Sequence, residues 1–183
     1  MSDVLLKRNT KMHSSDIGRD FVLVSSEGTE HPVHKVVLSA ASPVFCRMFS
    51  SNLEECKTGR CEIPDIDDAT LTGLVRYMYL GCLECVKEDA KKLLAAADKY
   101  QVLDLKNHCQ NVLIDNLNMD NVVDLLFFAQ QMVTAELKQA ALRYMAADPG
   151  KTMASAGMDS LLGSGKTELI TEVFTAMLKL PKN

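Results

Sequence analysis

The sequence has no surplus of positive charge. Its 20 Lys and Arg stand against 24 Asp and Glu, for a net charge of −4, which leaves nothing like the basic excess a nucleic-acid binder uses to neutralise phosphates. It also lacks any apolar run near the roughly 20 residues of a membrane-spanning helix. The opening Met-Ser-Asp-Val-Leu-Leu-Lys-Arg is too short and too charged for a signal peptide. No nucleic acid and no membrane is therefore expected among the partners, and an intracellular protein is expected. Nucleus or cytoplasm stays open, because Lys179-Leu180-Pro181-Lys182-Asn183 is no dense basic cluster. Six cysteines and ten methionines spread over 183 residues suit a reducing compartment with free thiols rather than a disulfide scaffold. What remains is 47% hydrophobic and 24% charged, the make-up of a globular chain able to bury a core. Internal repeats and low-complexity tracts are absent.

Signatures of catalysis are missing too. There is no Gly-x-Ser-x-Gly, no His-Glu-x-x-His and no carboxylate pair in a recognisable frame, and His13, His31, His34 and His108 have no metal-ligand spacing. Gly163-Ser164-Gly165-Lys166-Thr167 invites a phosphate-loop reading. The first glycine of that motif would have to stand at Ser160, and no strand run precedes it, so the stretch reads as a turn that opens the last helix. Cys82-Leu83-Glu84-Cys85 is half a zinc site at best, with Cys56 and Cys61 as distant candidates for the other half. Two incidental thiols in a surface loop is the expected reading there, while Cys46 and Cys109 read as small core residues on helices. Catalytic residues, cofactors and metals are expected to be none.

The chain is organised around His31 to Phe49. Two short apolar helical patterns flank Ser42-Pro43, where Ser caps a helix and Pro takes its first position without wasting a donor. Before it, Asp20 to Ser25 and Thr29 to Val33 read as strands around Glu27-Gly28, and Phe21-Val22-Leu23-Val24 is apolar throughout, as in a strand covered on both faces. Residues 2 to 8 read either as a short helix too small to stand alone, with Leu5 and Leu6 on one side, or as a frayed terminus. Ser50 to Gly59 is polar and turn-rich, and Arg60 to Ile63 resumes as a strand. Asp67 or Asp68 caps a helix carrying Leu71, Leu74, Val75 and Met78 that Gly81 stops. Helices follow over Val86 to Tyr100 and Leu103 to Leu117. Beyond Asn116 no strand is expected. Asn118 or Asp120 caps one helix and Thr134 the next; Asp148 to Gly165 reads as irregular; Glu168 to Leu180 closes the chain as an amphipathic helix. Its apolar face, with Ile170, Val173 and Phe174, must be covered by its own chain or by another subunit.

Asp20, His34-Lys35, Leu38, Ser42-Pro43-Val44-Phe45, Met48-Phe49 and Tyr79-Leu80-Gly81 together resemble the BTB/POZ domain family. Leu94-Ala95-Ala96-Ala97-Asp98-Lys99-Tyr100 and Asn116-Leu117 extend the likeness to the BTB plus helical region of the speckle-type POZ group, over residues 15 to 145. The resemblance implies an α+β BTB/POZ fold, a small mixed sheet with a helical cluster, over 15–117, and over 118–183 an all-helical part made of a cullin-binding helix pair, Asn118 to Met145, and a BACK-like extension. Residues 1–14 would hold a possible dimer helix, and Ile170, Val173 and Phe174 of the last helix would offer a second, weaker self-association surface.

Leu5, Leu6, Asp20 and Lys35 would then lie at the dimer interface, Asp20 and Lys35 as a charged pair, with His34 a packed structural histidine. Leu53-Glu54-Glu55 is similar to the hydrophobic-x-Glu motif through which BTB adaptors contact the third cullin, so Leu53 and Glu55, with Phe49 and Tyr100, are the implied cullin contact. The implied function is a dimeric or higher-order substrate adaptor of a cullin-RING ubiquitin ligase with no catalytic residue of its own. The speckle-type protein carries a substrate-binding MATH domain before its BTB, where this chain has about 14 residues, so the chain is expected to be a fragment or to recruit its substrate differently. The alternatives are a BTB oligomerisation or corepressor-binding platform without cullin binding and, from a third class, a nucleotide hydrolase using Lys166.

Overall fold

Glu27-Gly28 turns the chain because Gly28 sits at φ +81°, a left-handed conformation that costs glycine nothing. The turn closes with Ser25 N–H donating to Thr29 O at 3.0 Å and Gly28 N–H to Ser25 O at 3.0 Å. It joins β1 (Phe21–Val24) to β2 (Glu30–Val33), antiparallel in the register Phe21↔Val33 to Val24↔Glu30. A third strand, β3 (Arg60–Glu62), pairs parallel with β1, Val22↔Arg60 to Val24↔Glu62, giving the order β2-β1-β3. The computed structural model describes residues 3–51, 57–81 and 89–179. The chain divides into two compact units, Met1–Cys109 and Gln110–Asn183.

A parallel pair needs a crossover, and here the chain between β2 and β3 includes α2 (Lys35–Ala41) and α3 (Pro43–Phe49). Ser42 separates them as the sequence requires: its Oγ accepts from Phe45 N–H at 3.2 Å and donates to Tyr100 O at 2.5 Å, while Pro43 takes the first helical position. Among the described residues this region also holds α4 (Asp68–Leu80), α5 (Ala90–Lys99) and the first half of α6 (Leu103–Asp115), and an N-terminal α1 (Asp3–Ser14) lies against α4. Their buried faces, among them Leu38, Phe45, Leu71, Leu74, Leu94 and Leu105, join Leu23 of the sheet in one core. The structure thus has the α+β class and the small mixed sheet expected from the sequence, with α1 running well past the short helix anticipated over residues 2 to 8.

Asp67 caps α4 through Thr70 N–H at 2.8 Å, and Gly81 ends the helix at φ +59°. Hydrogen bonds from the Thr70 side chain, the Lys92 ammonium and the Thr70 backbone, in that order, hold the Asp67 carboxyl down to about 2. A carboxylate whose pKa is depressed by folding stabilises the fold above its unfolded value and loses that contribution as pH falls through the folded one. Asp67→Ala is expected to cost about 1 kcal/mol at neutral pH. The melting temperatures of variant and parent should converge as pH falls from about 4 toward 2, and a gap that is constant with pH would show that the charge of Asp67 is unimportant.

The described residues of the second unit form helices joined by turns, with no strand. Its helices are α7 (Val122–Gln131), α8 (Ala135–Ala147), α9 (Pro149–Met153), α10 (Ala156–Gly163) and α11 (Thr167–Lys179). Four readings of the sequence change here. Asn118 does not cap α7; its Oδ1 accepts from Asp120 N–H and Asn121 N–H in a turn before the helix. Thr134 stands at the N-cap of α8 as expected, but its hydroxyl makes no cap hydrogen bond and donates backward to Ala129 O at 3.4 Å. The supposedly irregular 148–165 stretch holds two short helices, with Asp148 accepting from Lys151 N–H and Ser155 from Met158 N–H. Met158 and Leu161 of α10 are fully buried, and that burial compensates for the poor helix propensity of the Gly and Ser around them. Finally, Leu169 and Val173 of α11 join the core of their own unit, with Ile170 and Met177 packed against it. Val173 thus cannot serve a second self-association surface, and Phe174 and Leu178 are what α11 leaves exposed.

Val133, between α7 and α8, has φ +53° and is 86% exposed. Thr134 N–H closes the α7 C-terminus onto Ala129 O at 3.0 Å, a helix ending that asks for a left-handed residue at this place and normally takes glycine. A β-branched residue there is strained. Val133→Gly is expected to stabilise the unit by roughly 1 kcal/mol, read as a melting temperature about 2 to 4 °C higher. A decrease would show that the side chain makes a contact worth more than the strain.

Candidate protein-interaction surface

The start of α2 is fixed by a buried hydrogen-bond knot. Tyr79, on α4, accepts from His34 N–H at 2.8 Å and meets His34 Nδ1 at 2.6 Å, while His34 Nε2 lies 3.0 Å from Ile17 O. A carbonyl can only accept, so Nε2 carries the proton, Nδ1 accepts, and the Tyr79 hydroxyl donates to it. Burial pushes the Tyr79 phenol up, which keeps that donor protonated. His13, near the end of α1, packs edge-on against the same ring at 5.1 Å; desolvation, then Arg19 and Arg76, lower its pKa. One tyrosine therefore ties together the α1 end, the Ile17 turn and the entry of α2. His34 is the packed histidine expected from the sequence, but the central role of the Tyr79 hydroxyl escaped sequence reasoning. Its signal was the Tyr79-Leu80-Gly81 triplet, which carries no hint of a partner 45 residues away.

Asp20 and Lys35 do meet, by an unexpected route. The exposed Asp20 carboxylate accepts from the backbone N–H of Lys35 at 2.8 Å, supplying the cap that the His34 side chain does not give α2. The Lys35 ammonium lies over the Phe21 ring at 5.3 Å and the Phe49 ring at 5.9 Å, an arrangement favourable to a cation. In the single chain the contact is thus a helix cap joined to a cation–π site, and no ion pair links the two side chains among the described residues.

Phe49 is half-buried at the end of an aromatic row. It meets Phe21 at 4.8 Å and Phe45 at 5.8 Å, and Phe45 stacks on Tyr100 at 4.5 Å with 6° between the rings. Tyr100 is only 4% exposed, so its role at any partner surface is to position Phe45 and, through its carbonyl, Ser42. Leu53 and Glu55 lie outside the described residues. A separate apolar strip is open on α1, where Val4, Leu5 and Leu6 are 56%, 49% and 40% exposed, and Val36 on α2 is 72% exposed.

The stretches that looked like chemistry find other uses. Gly165 at φ +70° turns the chain into α11, the turn expected from the sequence, and Lys166 Nζ sits 4.5 Å over the Phe127 ring. Cys56, Cys82 and Cys85 fall outside the described residues. Cys109 is buried, as expected, whereas Cys46 is exposed on α3 because Phe45 beside it takes the inward position. Among the described residues no group of His, Cys, Asp and Glu is arranged to hold a metal ion, and no helix is long and apolar enough to cross a membrane.

The BTB/POZ domain model matches residues 10–117. The chain is 32% identical over 173 residues to protein maternal effect lethal 26 of Caenorhabditis elegans, an alignment covering 93% of this chain and 43% of that protein. It is 35% identical over 123 residues to Kelch-like protein 3 of Mus musculus, covering 67% of this chain and 21% of the relative. Against Kelch-like protein 3 of Danio rerio it is 34% identical over 186 residues, covering 95% and 31%. The chain thus spans less than half the length of these relatives. Among solved structures, the BTB domain of human gigaxonin superposes with a TM-score of 0.50 at 25% identity, over 59% of this chain and 86% of that one. With the three-stranded mixed sheet, the Ser42 junction and the His34–Tyr79 knot beside that match, the chain belongs to the BTB/POZ domain family.

Proposed function

We propose that this chain is the dimerising and scaffold-docking part of a substrate adaptor for a cullin-RING ubiquitin ligase built on the third cullin. The observation that carries the reading is the helical unit after the BTB region. The match to maternal effect lethal 26 and to zebrafish Kelch-like protein 3 continues through it, over 93% and 95% of the chain, and a module that only dimerises has no need of the α7–α8 hairpin. The BTB/POZ domain is taken as 15–117 and the helical extension as 118–183.

In this reading two surfaces divide the work. Leu5 and Leu6, exposed on α1, bury against a second copy together with the Val36 region, and the capped Asp20–Lys35 junction sets the start of α2 beside them. Such an interface should exceed about 1,000 Å² and be largely apolar. Leu53 and Glu55, together with Phe49 and with Tyr100 supporting the aromatic row, contact the cullin. An apolar side chain filling a partner pocket supplies the affinity, and a charge-assisted hydrogen bond from the glutamate fixes register. Ubiquitin transfer is left to the partners, and no cofactor is used.

The test is titration of the purified cullin N-terminal region with this chain and with Leu53→Asp. Binding that the substitution abolishes supports the adaptor. A wild-type chain that fails to bind, or a variant that binds as well, returns the protein to a plain oligomerisation or corepressor platform.

A further inference from the structure

A trough lies between α8 and α11 of the second unit, with a cavity volume of about 500 Å³, within the range of roughly 300 to 1,000 Å³ typical of ligand clefts. Its floor is apolar and low: Leu142 and Ala146 are buried core residues, and Ala176 is packed against that core. Its rim is charged with one dominant sign. Lys138, Arg143 and Lys179 line it against a single carboxylate, Glu172.

Lys138 is taken up by Glu172 at 2.6 Å. Arg143 is exposed, and its Nε donates to Gln139 O at 3.3 Å. Among the described residues neither Arg143 nor Lys179 has a carboxylate partner. The trough therefore carries a local excess of two positive charges on a chain whose net charge is −4. A local field opposed in sign to the net charge favours an acidic ligand at the trough. The alanines on the floor leave room for one apolar side chain between the cations.

We propose that this trough binds an acidic peptide segment of a partner protein, with carboxylates meeting Arg143 and Lys179 around an apolar side chain laid on Leu142, Ala146 and Ala176. The trough shares α8 with the hairpin invoked for cullin docking but none of the contact residues Leu53, Glu55, Phe49 and Tyr100, and peptide binding here is read without cullin present. Glu172 acts as an internal competitor: by holding Lys138 it keeps a third cation from the ligand. Removing its charge should make the site stronger.

The experiment is fluorescence anisotropy on the whole chain at low ionic strength, with a labelled peptide of repeated Glu-Glu-Leu-Ala and a control of repeated Lys-Lys-Leu-Ala. The acidic peptide should bind saturably and the basic one should not. The double variant Arg143→Glu with Lys179→Glu, at two exposed positions, should weaken binding about tenfold, and Glu172→Gln should strengthen it about threefold. Thr175→Phe, which fills the trough without altering charge, should weaken binding by threefold or more. Should Thr175→Phe lower the melting temperature, the charge variants carry the test alone. Absence of saturable binding, equal binding of the basic peptide, or full affinity in the double variant would overturn the proposal. Unaltered affinity in a stably folded Thr175→Phe would place the peptide outside the trough and overturn it as well.

Discussion

Phe45→Ala is expected to cost the first unit about 3 to 5 kcal/mol, the usual loss for a large aromatic ring removed from a sealed core. Phe45 is fully buried, and its ring stands between those of Phe49 and Tyr100, so the cavity has little freedom to collapse. Against a typical total of about 5 to 15 kcal/mol, this should lower the melting temperature by roughly 10 °C or more. Phe45→Leu keeps most of the volume and should cost less than about half as much. Phe49→Ala, at the half-buried end of the row, should fall between the two. Equal melting curves for Phe45→Ala and wild type would mean that the row is ornamental and that the core lies elsewhere.

The largest expected effect on binding is that of Leu53→Asp. Placing a carboxylate where an apolar anchor enters a desolvated pocket leaves an unpaired charge there, and truncating interface anchors costs about 2 kcal/mol or more. A loss of cullin affinity of roughly thirtyfold or greater follows, well within reach of calorimetry. Glu55→Ala removes a hydrogen bond to a charged group and should weaken binding by about tenfold. The melting temperature of each variant, measured alongside, separates a lost contact from a lost fold. Should both variants keep wild-type affinity, the contact lies elsewhere and the hydrophobic-x-Glu reading of 53 to 55 falls with it.

What could be read from sequence was mostly local. Ser42-Pro43, Asp67 and Gly81 announce helix ends through side-chain and backbone chemistry that needs no tertiary partner, and the structure uses all three as such. The strands of the β1–β2 hairpin were legible for the same reason. Long-range chemistry was not. That Ser42 Oγ would reach the carbonyl of Tyr100, 58 residues away, or that Tyr79 would serve His34, depends on how helices pack. The Asp20–Lys35 contact illustrates the gap between pairing residues and pairing atoms: the sequence suggests two charges, and the fold joins a carboxylate to a backbone N–H while sending the ammonium to two aromatic faces. Short helices at 149–153 and 156–163 were hidden because Asp, Pro, Ser and Gly signal a loop unless Met158 and Leu161 find a core. Cys46 shows the limit of composition, since a small apolar residue beside Phe45 still points outward on a seven-residue helix.

Pro32 bears on how this chain avoids aggregation. In the sheet order β2-β1-β3 the strand β2 is an edge. Val22 turns its N–H away from β2, donating to Gly59 O at 2.9 Å. Pro32, opposite Val22, therefore sits where a residue's N–H would point outward, to the open edge, and proline has none to offer. The other edge, β3, is three residues long, with Arg60 and Glu62 exposed and Arg60 paired to Glu30. A strand seeking to extend the sheet would find a missing donor on one side and a short, charged stub on the other, the devices by which edge strands are kept from templating fibrils. Among the described residues neither edge of this sheet thus offers a second copy a full row of donors to zip onto.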